Sequence, residues 1–483
     1  MNDRPTSGLS GRMTLLSGEK CQAIYDAALG IIADVGMTVP HAAARELLAG
    51  AGATVEGEDL VRIPRELVAK ARATVPSMIR VYDRSGELAM QLGGYNSYFG
   101  TGSDLMYTYD LESGERRLSV LADVGRMARL CDALPNIDFV MSSAHPSDVP
   151  AYASYLESFR AMVSNTTKPM VMTAAGVDDL EVMWKIACEL RGGAEELRAQ
   201  PYFIQYGEPV SPLVHPAEVL DKLLFCADRG IPLVYAPAPI AGATAPIIHA
   251  GQIMQGVAES LFGLVIHQLR WPGGPFITGS ASGKLDMSTL QTLYNSAERY
   301  TTDLGILEMA RWMDIPNWSF AGTSDSHFVD AQAGIDAAQV TLLSMQAGAN
   351  LNHDVGYLDF GLTCAPELVV IVDEIISMNR RAFEGIEVND DTLAADVVAA
   401  VGPGGDFLRT RHTRAHVRAL QWKPTLFNRV TRAHWEAEGS LDLREKARRK
   451  AIDILADHQP EPFPENVKKT VDSLVEAFVA ASR

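Results

Sequence analysis

The chain has no CxxC pair, and its five cysteines (Cys21, Cys131, Cys188, Cys226, Cys364) stand singly along 483 residues. An odd count without pairing motifs argues against a disulfide framework or a thiolate metal site, and buried, reduced thiols are expected instead. Long apolar runs are missing too. No 18-residue window escapes a charge or a Gly/Pro break, so no membrane-spanning helix is expected. The opening MNDRPTSGLSGR has no apolar stretch of the signal-peptide kind, so a soluble, cytoplasmic protein is expected. Positive charge is scarce. A net charge of −18 and a pI near 5.1 argue against general binding to nucleic acid or anionic membranes. P-loop, Ser-His-Asp and Cys/His nucleophile patterns are likewise absent.

What is present is an alternation. Eight short apolar runs, each ending in a turn-like tip, fill the chain from Tyr95 to Asn379: SYFG (97–100), DFVMSS (138–143), PMVMTA (169–174), YFIQY (202–206), PLVYAP (232–237), PFITGS (275–280), NWSFAG (317–322) and ANLNHD (349–354). Helical patterns follow them, among them Val120–Leu134, His249–Leu269, Ser288–Trp312 and Asp330–Ala347, with Ser288 and Asp330 as capping signals. Eight strands close a parallel (β/α)8 TIM barrel, whose chemistry lies at the C-terminal strand tips. A doubly wound sheet is the alternative within the α/β class. The expected division is a flexible tail (1–12), an N-terminal helical cap and β-hairpin (13–94), the barrel (95–383), and a C-terminal helical wrap (384–483). In that last stretch the basic segment Arg409–Arg432 either docks an acidic partner or pairs with the chain's own carboxylates, the reading preferred here.

Three motifs do not carry their usual chemistry. GTGSD (100–104) begins like a dinucleotide loop but lacks the third glycine and opens no helix directly. DSHFVD (325–330) differs by one residue from the DxHxxG cobalamin-ligand pattern and lies at a strand tip. His412 and His416 have zinc-pair spacing without the HExxH glutamate, and four arginines surround them. No bound metal is expected.

The stretches GTGSD, GEPVSPL (207–213), DxxxxDAQA (325–333), GANLNHDVGYLD (348–359) and FLRTRHTRAH…W (407–435) resemble the trimethylamine methyltransferase superfamily of corrinoid-dependent methyltransferases. The resemblance runs from about Ser17 to the C-terminus and implies an eight-stranded β/α barrel. Founding members carry pyrrolysine, whereas this chain has only the standard residues; the loop Gly322–Ser326 is the nearest candidate for that position. The resemblance therefore implies the branch similar to glycine betaine methyltransferases. Such an enzyme converts a quaternary amine, here glycine betaine, to dimethylglycine and passes the methyl to the cobalt(I) corrinoid of a separate carrier protein. On this view the chain binds no cofactor itself. The partner supplies cobalamin, and a homo-oligomer is expected. The alternatives are a demethylase of proline betaine or carnitine, one with a folate acceptor, and a non-catalytic betaine-binding protein.

A quaternary nitrogen has no lone pair to protonate, so such a site needs aromatic faces for the cation and donors for a carboxylate, not a general acid at nitrogen. Residues at the strand ends that suit this are Tyr98, Gln205, Tyr206, Glu208, Tyr235, Phe320, Asp325, His353 and Asp354. For the carboxylates, loop capping or an ion pair is the alternative role.

Overall fold

The computed structural model describes residues 12–482, so all but Arg12 of the expected N-terminal tail lies outside the described residues. Its centre is a sheet of seven parallel strands: β1 (Tyr98–Phe99), β2 (Met170–Met172), β3 (Phe203–Gly207), β4 (Leu233–Tyr235), β5 (Phe276–Gly279), β6 (Asn317–Phe320) and β7 (Leu351–His353). They lie side by side in the order β1, β7, β6, β5, β4, β3, β2. Every residue of β2, β4, β5 and β6 is buried. Such apolar runs are what a parallel sheet covered on both faces requires.

The run 138–143 forms no regular strand, unlike the expectation. Single parallel bridges join Gly100 to Phe139 and Val140 to Met170, so this segment lies between the sheet's two edges. Pairing stops at Met141 because the Thr101 hydroxyl takes both its amide (2.9 Å) and its carbonyl (3.1 Å).

One face of the sheet packs inward. Phe139, Val171, Ile204, Val234, Ile277, Trp318 and Leu351 form a buried cluster with Ile79, Val81, Met90 and Leu92. The last four belong to an antiparallel hairpin, Ile79–Tyr82 with Leu88–Leu92. The hairpin's Gln91 amide donates to the Tyr98 hydroxyl (3.0 Å) at the start of β1, so the hairpin closes the N-terminal end. Helices cover the outer face. His249–Arg270 is buried around nearly its whole circumference because the N-terminal helices Gly18–Gly30 and Arg65–Thr74 pack on its far side.

Loops beyond the strand tips build two small rim sheets. One joins Ile240–Ala241, Gly283–Leu285 and Thr292–Leu293; the other joins Tyr107–Tyr109, Arg116–Leu118, Tyr357–Leu358 and Thr363–Cys364. The first displaces an expected helix start. The helix begins at Ala297, capped by Ser296, while Ser288 turns its hydroxyl onto Asp286 (2.6 Å) inside the rim hairpin. Asp330 does cap Ala331–Ala347, accepting from the Ala333 amide (3.0 Å).

At the C-terminal end Leu443–Asp457 packs on Pro366–Ala382. The Glu374 carboxylate accepts amides from Thr425, Leu426 and Phe427. Between Asn379 and Leu426 no side chain is buried. The expected pairing of the basic segment with the chain's own carboxylates is not found for Arg409, Arg411, Arg414 or Arg418. None has an ion pair among the described residues.

Candidate active site

Side chains alternate along a strand, so residues two apart share a face. Ile204 and Tyr206 of β3, Trp318 and Phe320 of β6, and Leu351 and His353 of β7 therefore point inward together, the second of each pair nearer the C-terminal mouth. The Trp318 and His353 rings stack with centroids 4.3 Å apart and planes 13° apart. Tyr206 adds a third ring 5.5 Å from Trp318. These rings form an aromatic wall just below the mouth.

Carboxylates adjoin it. The Tyr206 hydroxyl donates to Glu208 Oε2 (2.6 Å), and His353 Nδ1 lies 2.5 Å from Asp354 Oδ1. Asp354 takes a left-handed backbone conformation (φ 71°) that turns the chain over the mouth. Gly102 makes room for it: a Cβ there would fall 2.2 Å from both Asp354 Oδ1 and Tyr357 Oη. The GTGSD loop is thus glycine-rich because its backbone presses on this cluster. Glu208 opens to the mouth's solvent, yet protein surrounds it closely enough for desolvation to raise its pKa; the Tyr206 hydrogen bond and His353 oppose the rise. Burial, followed by the Glu208 charge, pushes the Tyr206 phenol well up.

Above the wall sits Tyr294, its pKa raised to about 12 by burial and by Asp354 and Glu208, with Arg299 opposing. Arg299 lies over the rings of Phe320 (3.9 Å) and Tyr294 (4.4 Å).

Among the expected site residues, the structure brings Tyr206, Glu208, Phe320, His353 and Asp354 together. The remaining four lie or act elsewhere. Tyr98 faces the closing hairpin at the opposite end. Gln205 is on the outer face of β3, its amide nitrogen donating to the Tyr206 carbonyl (2.8 Å). Tyr235 is also outward, hydrogen-bonded to His215 (2.6 Å) and pressed against Gly263 of the covering helix. Both are one residue off the inward alternation. Asp325 is near the mouth but spends its carboxylate on the Tyr294 and Asn295 amides (3.1 and 2.8 Å), the loop-capping role. His327 of the DSHFVD segment is a largely exposed rim residue 2.5 Å from Asp359 Oδ1.

Three residues escaped the sequence reading. Trp318 was legible in principle, two positions before Phe320 and hence on the same face. Tyr294 and Arg299 belong to the rim hairpin and the helix after it, where no strand register marks them.

A parallel α/β sheet whose strand ends hold an aromatic wall beside partly desolvated carboxylates has the features of a small-molecule site of an α/β protein. The family model "Trimethylamine methyltransferase (MTTB)" matches residues 4–481, and the chain belongs to that methyltransferase family. It is 30% identical to trimethylamine methyltransferase MttB of Desulfitobacterium hafniense, over 97% of this chain and 94% of that one. It is 29% identical to a glycine betaine methyltransferase of the same species, over 97% of each. Among solved structures it resembles a hydroxylamine complex of MtmB (TM-score 0.52, 12% identity, 92% of this chain and 89% of that one). The Methanosarcina barkeri monomethylamine methyltransferase MtmB aligns similarly (TM-score 0.51, 11% identity, the same coverage). At such identities these two bear on the fold alone.

Proposed function

We propose that this protein takes a methyl group from a quaternary amine, glycine betaine first among them, giving dimethylglycine, and hands the methyl to the corrinoid of a separate carrier protein. The observation that carries the reading is the wall of Tyr206, Trp318 and His353 set beside Glu208 and Asp354. A Tyr, Phe or Trp face open to the mouth contributes about 0.5–2 kcal/mol to holding a cation; Trp318, only 1% exposed, backs the wall behind His353. The carboxylates complement the positive nitrogen, whose neutral leaving amine needs no proton. The chain's own contribution is to bind the cation, align one N–CH3 bond with the mouth, and keep water from the bound substrate. When docked, the carrier's reduced corrinoid would supply the nucleophile. Similarity to both trimethylamine and glycine betaine enzymes supports methylated-amine chemistry, and the lack of pyrrolysine favours the betaine.

The bridges through Phe139 and Val140 support reading the sheet as a closed eight-stranded barrel with this mouth at its C-terminal end. The same reading divides the chain at 94/95 and 383/384. The unpaired thiols, four of them buried, suit a cytoplasmic setting. No helix among the described residues is long and apolar enough to cross a membrane. The exposed apolar side chains of 386–420 suit a homo-oligomer.

The test is incubation with glycine betaine and reduced cobalamin, expecting methylcobalamin and dimethylglycine in equal amounts. Betaine binding without transfer, even with the cognate carrier, would make the protein a sensor. Methyltetrahydrofolate formed without cobalt would make it a folate-dependent demethylase.

A further inference from the structure

We propose that Arg299 reads the anionic end of the substrate, so that the mouth selects a zwitterion, a quaternary ammonium bearing a carboxylate, over a simple methylated amine. This rests on the quaternary-amine reading above and assigns the residue that holds a betaine's carboxylate within it.

Arg299 is the third residue of the helix Ala297–Trp312, and its amide is held by the Ser296 cap (3.2 Å). Because the rim hairpin delays the start of this helix, its first turn lies at the mouth. The guanidinium there packs on two rings, Phe320 and Tyr294, at 3.9 and 4.4 Å. Stacking occupies its faces and leaves only the edge, with its fork of donors, for hydrogen bonding.

That edge is underused. Nε meets Asp303 Oδ2 at 3.3 Å, and neither terminal nitrogen makes a hydrogen bond among the described residues. Arg299 is only 4% exposed, a burial at which donors are ordinarily satisfied. Yet the terminal nitrogens are not among the fully enclosed polar atoms that lack partners. They therefore border open space, and a planar two-oxygen anion is the ligand that matches such a fork.

Asp303 does not fill that role. Its Oδ1 accepts the Ser282 hydroxyl (2.6 Å), and burial lifts its pKa to about 6 against the opposing pull of Arg299. Ionised at neutral pH, it is a counter-charge set to one side that engages only Nε and leaves the terminal nitrogens without a partner among the described residues.

The cup is consequently polarised. Glu208 and Asp354 lie beside the aromatic wall, Arg299 lies over Phe320, and Tyr294 feels all three charges. Phe320 is opposite His353 in the β6–β7 register, one strand spacing (~5 Å) away. A compact zwitterion can thus place its ammonium against the wall and its carboxylate at the fork. A monocation gains only the first contact and faces a guanidinium in place of the second, so the site both attracts one class and repels the other.

Calorimetry on the full-length protein tests this with two probes, glycine betaine and tetramethylammonium. Arg299→Gln is expected to weaken glycine betaine about tenfold to hundredfold and to leave tetramethylammonium unchanged or tighter. Arg299→Lys, which keeps the charge and loses the fork, should recover part of the loss. Asp303→Asn frees the guanidinium and should retain or tighten betaine binding. Equal weakening of both probes in Arg299→Gln, or loss of betaine in Asp303→Asn to the same degree, would show a merely structural role and overturn the proposal. A wild type that binds both probes, with Arg299→Gln indifferent to either, overturns the part given to Arg299 and spares the quaternary-amine reading. A wild type that binds neither overturns both.

Discussion

Glu208 shows how a single side chain can be set between stability and function. Desolvation raises its pKa above the ordinary carboxylate value, while the Tyr206 hydroxyl and His353 restrain the rise. A group whose folded pKa lies above its unfolded one favours the folded state most at pH below the unfolded value, and that contribution is lost as pH rises through the folded pKa. At neutral pH the ionised carboxylate is therefore a burden on the empty protein, tolerated because a bound cation needs it. Glu208→Gln should weaken glycine betaine about tenfold, the scale of one lost charge partner, and raise the melting temperature at pH 7. In the wild type, affinity should fall as pH drops from neutrality through the raised pKa, because binding the cation requires the ionised form. Calorimetry across that range checks the sign; an affinity indifferent to pH and to the substitution would contradict it. Such residues were legible as aromatic or polar side chains at strand ends, as with Tyr206 and His353. Tyr235 misled because an aromatic at a strand tip does not reveal which face it takes. Arg299 was illegible because its place depends on where a helix begins after an irregular hairpin.

At the scale of elements, the alternation of apolar runs and helical patterns gave most of the sheet, since a strand buried on both faces has little freedom in composition. It failed where side chains replaced backbone pairing, as Thr101 does at Met141, and where Asp286 and Ser288 made a turn that imitates a helix cap. The long helix His249–Arg270 shows what the outer layer demands. It carries His267, and its Phe262 stacks on His215 (4.7 Å) from the loop after β3; both histidines are fully buried, and burial alone lowers the pKa of each to about 3. A histidine whose folded pKa is depressed contributes stability that is complete above its unfolded pKa of about 6.5 and is lost as pH falls toward 3. Each should add a slope of about 1.4 kcal/mol per pH unit in that window. His267 Nε2 is buried without a partner, Nδ1 meets only Gln268 Nε2 (3.1 Å), which also donates to the Gly274 carbonyl, and the ring packs on Trp271 and Phe276, so Phe can occupy its place. Urea unfolding of His267→Phe between pH 7 and 4.5 should show the wild-type slope reduced by about that amount; parallel curves would show that this ring does not titrate on unfolding.

On the scale of the whole molecule, the segment between Asn379 and Leu426 is tied to the helix Pro366–Ala382 at Trp422 and Thr425 but buries no side chain of its own. Ile386 (91%), Val388, Leu393, Leu408 (84%) and Leu420 are exposed, although monomer surfaces rarely gather so many large apolar side chains. The segment's later part is also cationic, with Arg409, Arg411, Arg414 and Arg418 free of ion pairs among the described residues, after an earlier part (384–406) that carries six carboxylates, on a chain whose net charge is −18. An apolar arm whose later part is basic, on a strongly acidic chain, is complementary to a second copy of the same chain, which is why self-association is expected to cover it. Sedimentation at micromolar concentration should give a species at least twice the 52.3 kDa chain mass. Leu408→Glu with Leu420→Glu should shift it toward the monomer, because each places a charge where apolar contact is needed. Raising salt should weaken assembly only in part, since screening removes the charge attraction and leaves the apolar contact intact. The mouth lies on the sheet, not on the arm, so the dissociated variant should still bind glycine betaine. A wild type that sediments as a monomer would leave these side chains without a covering partner in this protein and defeat the assignment.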